Sequence, residues 1–127
     1  MRFSLSFLCF ILFFLPEISQ GQKINGPYLT VAKDTINYGV IQVNSNGERI
    51  LKVTNTGDAD LIITYCSGSC GCTIPKCPDY NIASGKWSDI KITYDTKRLG
   101  FFSKTVTIKS NAINNTVYIK VIGEIVE

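Results

Sequence analysis

Four of the five cysteines in this chain, Cys66, Cys70, Cys72 and Cys77, lie within twelve residues. Clustered thiolates bind Zn²⁺ or Cu(I), and paired thiols form or exchange disulfides. The cysteines are separated by three, one and four residues, which does not match the paired Cys-x₂-Cys units of zinc ribbons. Three interpretations follow: a structural disulfide staple, a thiol–disulfide exchange site or a thiolate metal site.

The absence of histidine excludes several kinds of metal site and catalytic site. The 127 residues contain none, which excludes mixed His/Cys metal sites and both Ser-His-Asp and Cys-His catalysis. The formal net charge is +3, and the basic residues are scattered singly rather than gathered into a stripe. This distribution argues against nucleic-acid binding.

The N-terminal segment indicates the redox compartment. Arg2 precedes an apolar run over residues 3–15, and Ser19 and Gly21 place small residues where a signal peptidase requires them. We therefore expect a signal peptide over residues 1–21, cleavage after Gly21 and export to the periplasm or the cell exterior. The apolar run is too short to span a bilayer, which takes roughly 20 residues, so no membrane span is expected after cleavage.

Residues 22–127 are expected to form one domain. A chain of this length buries roughly 65% of its unfolded surface, so its core can fold without disulfides. In an oxidising compartment four thiols normally become two disulfides, and four cysteines allow three pairings.

Apolar and polar residues alternate along most of this domain. Ile90, Ile92 and Tyr94, for example, share one face of a segment whose other face is charged, the period of two expected for a half-buried strand. The segment 61–65 is more continuously apolar, which predicts a strand covered on both sides. Strands are predicted over residues 28–32, 35–43, 49–54, 61–65, 89–95, 104–109 and 115–126.

Turn residues separate these segments about every ten residues, and no segment shows helical spacing. The pattern predicts an all-β fold, an immunoglobulin-like antiparallel β-sandwich of about seven strands, with a small barrel as the alternative.

Several motifs, in order, carry a family resemblance. They are Asn55-Thr56-Gly57-Asp58, Ser69-Cys70-Gly71-Cys72-Thr73, Gly100 to Ile108 and the closing Gly123. Over about residues 33–126 the chain resembles a bacterial exported family catalogued as domain of unknown function fifteen-seventy-three. The resemblance implies a relation to the immunoglobulin-like domains of the major sperm protein and Hydin type, which serve as binding and scaffolding modules, and it supplies no catalytic residues.

The family usually has the Cys-Gly-Cys pair alone, whereas here Cys66 and Cys77 flank it. The resemblance treats Cys70 and Cys72 as a unit and so implies that Cys66 pairs with Cys77. In an extended chain the Cα atoms of Cys70 and Cys72 would lie roughly 6.6 to 7.2 Å apart, at the limit for a disulfide. Their pairing therefore requires a tight turn at Gly71.

Exposed aromatic residues are the other candidate feature. Tyr80, Trp87, Phe101 and Phe102 could contribute to a partner-binding surface. Adjacent Phe101 and Phe102 must point to opposite faces of a sheet, so one of them is expected to face outward.

We conclude from the sequence that this is an exported, non-enzymatic binding or structural module with a disulfide-stapled cysteine loop. Its partner is expected to be another protein or a cell-envelope component. No catalytic, cofactor-binding or metal-ligating residue is predicted, and no cofactor. The alternative is a periplasmic thiol-redox or metal-handling protein that uses the Cys70-Gly71-Cys72 site.

Overall fold

The computed structural model describes residues 25–127, which form two four-stranded sheets packed face to face. The predicted signal peptide over residues 1–21 lies outside the described residues. One sheet has the order β1-β3-β6-β5 and the other β2-β8-β7-β4. The strands are β1 Leu29–Val31, β2 Thr35–Gln42, β3 Glu48–Asn55, β4 Ile63–Gly68, β5 Thr73–Lys76, β6 Trp87–Tyr94, β7 Gly100–Ser110 and β8 Thr116–Val126.

The β-sandwich predicted from the sequence is confirmed, with eight strands rather than about seven. All strand pairs are antiparallel except β2 with β8, which run parallel. The part of the chain from residue 25 onward offers no helix that is long and apolar enough to cross a membrane.

Alternation along the strands builds the core between the sheets. In β6 every second residue is buried, and the predicted inward residues Ile90, Ile92 and Tyr94 are all among them. In β7, Val106 and Ile108 are also buried, as predicted. The period of two therefore identified the core face of the central strands correctly.

Three segments differ from the prediction. The strand predicted over residues 104–109 is longer, because β7 begins at Gly100. The continuously apolar segment 61–65 is not one doubly covered strand: Leu61 forms an isolated bridge with Ile82, and β4 begins only at Ile63. Because β4 pairs with β7 alone, it is an edge strand, and Tyr65 on it is exposed. The sequence pattern also did not predict β5, a four-residue edge strand that contains Pro75 and lies within the cysteine cluster.

The turn after β3 is organised by a buried asparagine. Asn55 accepts hydrogen bonds at Oδ1 from the backbone N–H groups of Tyr28 (3.3 Å) and Gly57 (3.0 Å). Its Nδ2 donates to the carbonyl oxygens of Ala59 (2.7 Å) and Ile82 (2.8 Å). The Asn-Thr-Gly motif therefore has a structural role, which is to hold this turn.

An aromatic cluster fills one end of the core. The rings of Tyr94 and Phe102 stack with their centroids 3.8 Å apart, and Tyr38 packs edge-on against Phe102 at 5.5 Å. Gly123 lies directly against this cluster, because a Cβ atom there would stand 2.6 Å from the ring of Phe102. The closing glycine of the sequence motif is thus required by packing.

Stability is expected to fall at alkaline pH because of Tyr38. Burial raises the pKa of Tyr38 to about 12 from the ordinary 10.0, although the positive charge of the nearby Arg49 acts to lower it. The Tyr38 hydroxyl loses its proton near pH 10 in the unfolded chain but only near pH 12 in the folded chain. Its contribution to the free energy of unfolding is therefore fully present below pH 10 and is lost as the pH rises to about 12.

Thermal unfolding at about pH 9 and about pH 11 measures this loss. Tyr38→Phe should reduce the drop in melting temperature between the two conditions. Part of the drop should persist, because burial also raises the pKa of Tyr94. An identical drop in wild type and Tyr38→Phe would contradict the assignment to Tyr38.

Candidate functional site

The cysteine loop connects the two sheets at one side of the sandwich. Cys66 lies on β4, the edge strand of one sheet, and Cys77 directly follows β5, the edge strand of the other. A disulfide joins them, with their Cα atoms 6.2 Å apart. This bridge therefore links two edges that belong to different sheets, and the pairing is the one that the family resemblance implies.

A second disulfide joins Cys70 to Cys72, whose Cα atoms are 5.2 Å apart. The chain turns at this point, and the backbone N–H of Thr73 donates to the carbonyl oxygen of Cys70 (3.3 Å). Gly71 is not among the residues with positive φ, so the expected tight turn forms without a left-handed glycine. A Cβ atom at Gly71 would meet nothing within 4 Å, so this side of the ring is open.

Hydrogen bonds hold the loop on both sides of the small ring. The backbone N–H of Ser69 donates to the carbonyl oxygen of Thr105 (2.8 Å), and the N–H of Thr105 donates to Ser69 Oγ (3.0 Å). On the other side, the N–H of Asp95 donates to the carbonyl oxygen of Cys72 (2.8 Å). The position of the ring is thus set by β7 and by the end of β6.

The two sulfur atoms of the small ring have different environments. Cys72 is only 2% exposed, whereas Cys70 is partly exposed. The backbone N–H of Cys72 points to Sγ of Cys70 at 3.3 Å. The hydroxyl of the buried Thr73 lies 3.8 Å from Sγ of Cys70 and 3.6 Å from Sγ of Cys72. Both sulfurs therefore have a hydrogen-bond donor beside them.

In this structure all four clustered cysteines are in disulfides. Metal binding needs free thiolates, so a metal site could form only after at least one of the two disulfides is reduced. Residues 25–127 contain no grouping of three or more His, Cys, Asp or Glu side chains placed to hold an ion.

A second feature lies on the outer face of the β2-β8-β7-β4 sheet. Phe101 is 85% exposed while Phe102 is 6% exposed, so the two neighbours point to opposite faces as predicted. Beside Phe101 is a depression of about 280 Å³, lined mainly by Val40, Ile122 and the glycines Gly39 and Gly123.

Sequence reasoning identified Phe101 but missed Val40 and Ile122 as its neighbours. Val40 reaches this face because β2 pairs in parallel with β8, where Val40 and Phe101 flank the same residue, Glu124, from opposite sides. A parallel pairing between distant segments leaves no local signal in the sequence.

Of the remaining two predicted aromatic residues, Trp87 lies on the other sheet and Tyr80 lies in the loop between β5 and β6. Trp87 is exposed at the start of β6, with the Lys52 ammonium 4.7 Å from its ring centroid. Tyr80 is exposed too, and its hydroxyl lies 2.6 Å from Oγ of the buried Ser88. Tyr80 borders a groove of about 560 Å³ beside Cys77, a groove with charged residues of both signs. The structure thus divides the four aromatic candidates among two outer faces and the core.

Residues 29–125 match a family described as "Protein of unknown function (DUF1573)". The chain belongs to this family. The match extends from the start of the first strand to the penultimate residue of the last one and includes both disulfides. No curated protein matches the sequence.

Solved structures of low sequence identity share the fold. The ASH/PapD-like domain 7 of human CEP192 has a TM-score of 0.68 at 11% identity, with 87% of this chain and 93% of that chain covered. A protein of unknown function from Porphyromonas gingivalis W83 has a TM-score of 0.68 at 12% identity, covering 85% of this chain and 51% of that one. WR4, an MSP family member from C. elegans, has a TM-score of 0.54 at 12% identity, covering 80% and 99%. These structural neighbours show that this DUF1573 chain has an immunoglobulin-like, PapD-like fold.

Proposed function

We propose that this DUF1573 protein is an exported binding module whose partner contacts the outer face of the β2-β8-β7-β4 sheet at Phe101. The partner is another protein or a component of the cell envelope. The observation that carries the proposal is the exposure of Phe101, 85%, beside an apolar depression. No cofactor is part of the proposal.

The surroundings of Phe101 support a contact surface. Val40 on the edge strand β2, which is separated from the strand of Phe101 by β8, is 66% exposed, and Ile122 on β8 completes the apolar lining. Glu124 lies between Phe101 and Val40 on β8. An exposed aromatic side chain next to a pocket and a charged group has the composition of an interface anchor, since aromatic residues are enriched where binding energy is concentrated.

A photo-crosslinking amino acid at position 101 tests the proposal. The matched control is position 93, where Thr93 is exposed on the outer face of the other sheet. We expect a discrete adduct in intact cells from position 101 and none from position 93. Equal adducts at both positions, or none at either, would contradict a partner at Phe101.

A second arm separates binding from folding. With the crosslinker at position 103, on the same strand and face, Phe101→Ser should abolish the adduct. The melting temperature should stay close to wild type, because substitutions of such exposed residues change stability by about 0.5 kcal/mol or less. An undiminished adduct would show that Phe101 is not the anchor.

Export is expected to remove residues 1–21, so the mature protein should begin at Gln22. This rests on the short apolar run and on the small residues Ser19 and Gly21. N-terminal sequencing of the protein recovered from the periplasm or the medium measures it. Recovery of Met1 or Arg2 on that protein would overturn the prediction.

A further inference from the structure

The two cysteines that close the small ring, Cys70 and Cys72, differ in their exposure to solvent. Cys72 is buried, Cys70 is partly exposed, and the space in front of Gly71 is empty to at least 4 Å from a Cβ position. Thiol–disulfide exchange requires in-line approach of a thiolate to one sulfur. Cys70 packs against the core but keeps part of its surface exposed, whereas Cys72 has almost none, so Cys70 is the more accessible of the two to an external thiolate.

Hydrogen-bond donors already surround the sulfurs that would carry charge. A thiolate on Cys70 would accept from the Cys72 N–H, now 3.3 Å away, and from the Thr73 hydroxyl. A thiolate on Cys72 would accept from the same hydroxyl, which lies 3.6 Å from its sulfur. A hydrogen-bond donor favours the charged form, so these donors would stabilise a thiolate on Cys70 and, on Cys72, would oppose the desolvation that burial imposes on a thiolate.

The ring can open without releasing the loop. Ser69 on one side and the carbonyl of Cys72 on the other are held by backbone hydrogen bonds to β7 and to Asp95, and neither bond involves a sulfur. The longer Cys66–Cys77 bridge joins the sheet edges separately. Closing a ring between residues two apart constrains the unfolded chain much less than closing one between residues eleven apart, so the small ring adds less to folding.

We propose that Cys70 and Cys72 form a thiol–disulfide exchange site that oxidises the dithiol of another protein. Cys70 is the sulfur that is attacked and Cys72 the leaving sulfur. The Cys66–Cys77 bridge takes no part in the exchange. This activity is independent of the binding surface at Phe101, which lies on the outer face of a sheet rather than on the cysteine loop.

The exchange balances as a two-electron transfer. A thiolate of the partner attacks Sγ of Cys70, the Cys70–Cys72 bond breaks, and Cys72 leaves as a thiolate that takes up a proton. A second thiolate of the partner then attacks the partner's sulfur in the mixed disulfide and releases Cys70, which is protonated in turn. The partner loses two electrons and two protons and gains a disulfide, and this chain ends as the dithiol.

Titration of the mature protein with dithiothreitol, followed by alkylation and peptide mass mapping, tests the separation of the two bridges. We expect Cys70 and Cys72 to be labelled at reductant concentrations that leave Cys66 and Cys77 unlabelled, with an unchanged circular dichroism spectrum. Both bridges opening together, or unfolding when the first one opens, would overturn the proposal.

Single substitutions test the asymmetry between the two sulfurs, with oxidised glutathione as the probe. Cys72→Ser leaves Cys70 as a free thiol, which should form a mixed disulfide with glutathione. The matched variant Cys70→Ser leaves Cys72 free and should form none, because Cys72 is buried. Equal adducts in the two variants, or no adduct in Cys72→Ser, would overturn the assignment of Cys70 as the reacting sulfur.

The role of the Thr73 hydroxyl is tested separately, by the rate at which glutathione reacts with Cys70 in the Cys72→Ser variant. Thr73→Val removes the hydroxyl at nearly constant volume and should slow formation of the glutathione adduct on Cys70, while Thr73→Ser should restore the rate. If Thr73→Val and Thr73→Ser react equally fast, the hydroxyl does not stabilise the Cys70 thiolate and that part of the proposal fails.

Discussion

Replacing Asn55 with alanine is expected to lower the free energy of unfolding by about 3 kcal/mol, measured by urea denaturation. Asn55 is completely buried, and its side chain makes four hydrogen bonds to backbone groups. Alanine would leave the buried N–H of Gly57 without its partner and would remove the bonds to the carbonyl oxygens of Ala59 and Ile82. Losing the partner of a buried polar group costs more than an exposed hydrogen bond contributes.

Asn46→Ala is the matched control for this prediction. Asn46 is also a turn asparagine, but it is exposed, and its side chain accepts one hydrogen bond, from the backbone N–H of Glu48 (3.0 Å). We expect a change of about 0.5 kcal/mol or less, because water replaces the lost bond. Equal effects of the two substitutions would show that the buried network around Asn55 contributes little.

The double substitution Cys66→Ser with Cys77→Ser is expected to lower the free energy of unfolding by about 2 to 3 kcal/mol without abolishing the fold. The bridge spans a sequence separation of 11 and joins edge strands of different sheets, so its main effect is to restrict the unfolded chain. The core of aliphatic and aromatic residues between the sheets remains intact in this variant.

Cys70→Ser with Cys72→Ser provides the comparison for the double substitution. The two cysteines of the small ring have a sequence separation of 2, so the same loop-closure relation predicts that this variant lowers the free energy of unfolding by less than about 2 kcal/mol. Complete unfolding of the Cys66/Cys77 variant at room temperature would contradict an adequate core. A larger loss from the small ring than from the long one would contradict the assignment of Cys66–Cys77 as the staple.

The fold class was predictable from the sequence because the central strands obey a simple physical rule. A strand with one buried face alternates apolar and polar residues, and Ile90, Ile92 and Tyr94 follow this alternation closely. The edge strands follow it less well. The apolar segment 61–65, which leads into β4, includes the exposed residues Ile62 and Tyr65, so its apolar character did not indicate which residues are buried. The strand β5 has only four residues and contains Pro75, so its pattern did not indicate a strand.

The family motifs were informative about structure more than about chemistry. The Asn-Thr-Gly motif holds a turn through Asn55, and Gly123 allows the Tyr38, Tyr94 and Phe102 cluster to pack closely. Both requirements depend on neighbours distant in the sequence. The motifs could be recognised without the structure, but their physical reasons could not be worked out from the residues alone.

By itself the sequence determined that the chain is all-β, that its four clustered cysteines form the candidate site and that Phe101 or Phe102 must face outward. These features depend on the residue types and on alternation along the chain. Only the tertiary structure decided that Phe101 is the outward one, that Val40 and Ile122 lie beside it, and that Cys72 is buried while Cys70 is partly exposed. The reason is that burial and neighbourhood depend on which strands pair and how the two sheets pack, and those contacts join residues far apart in the sequence.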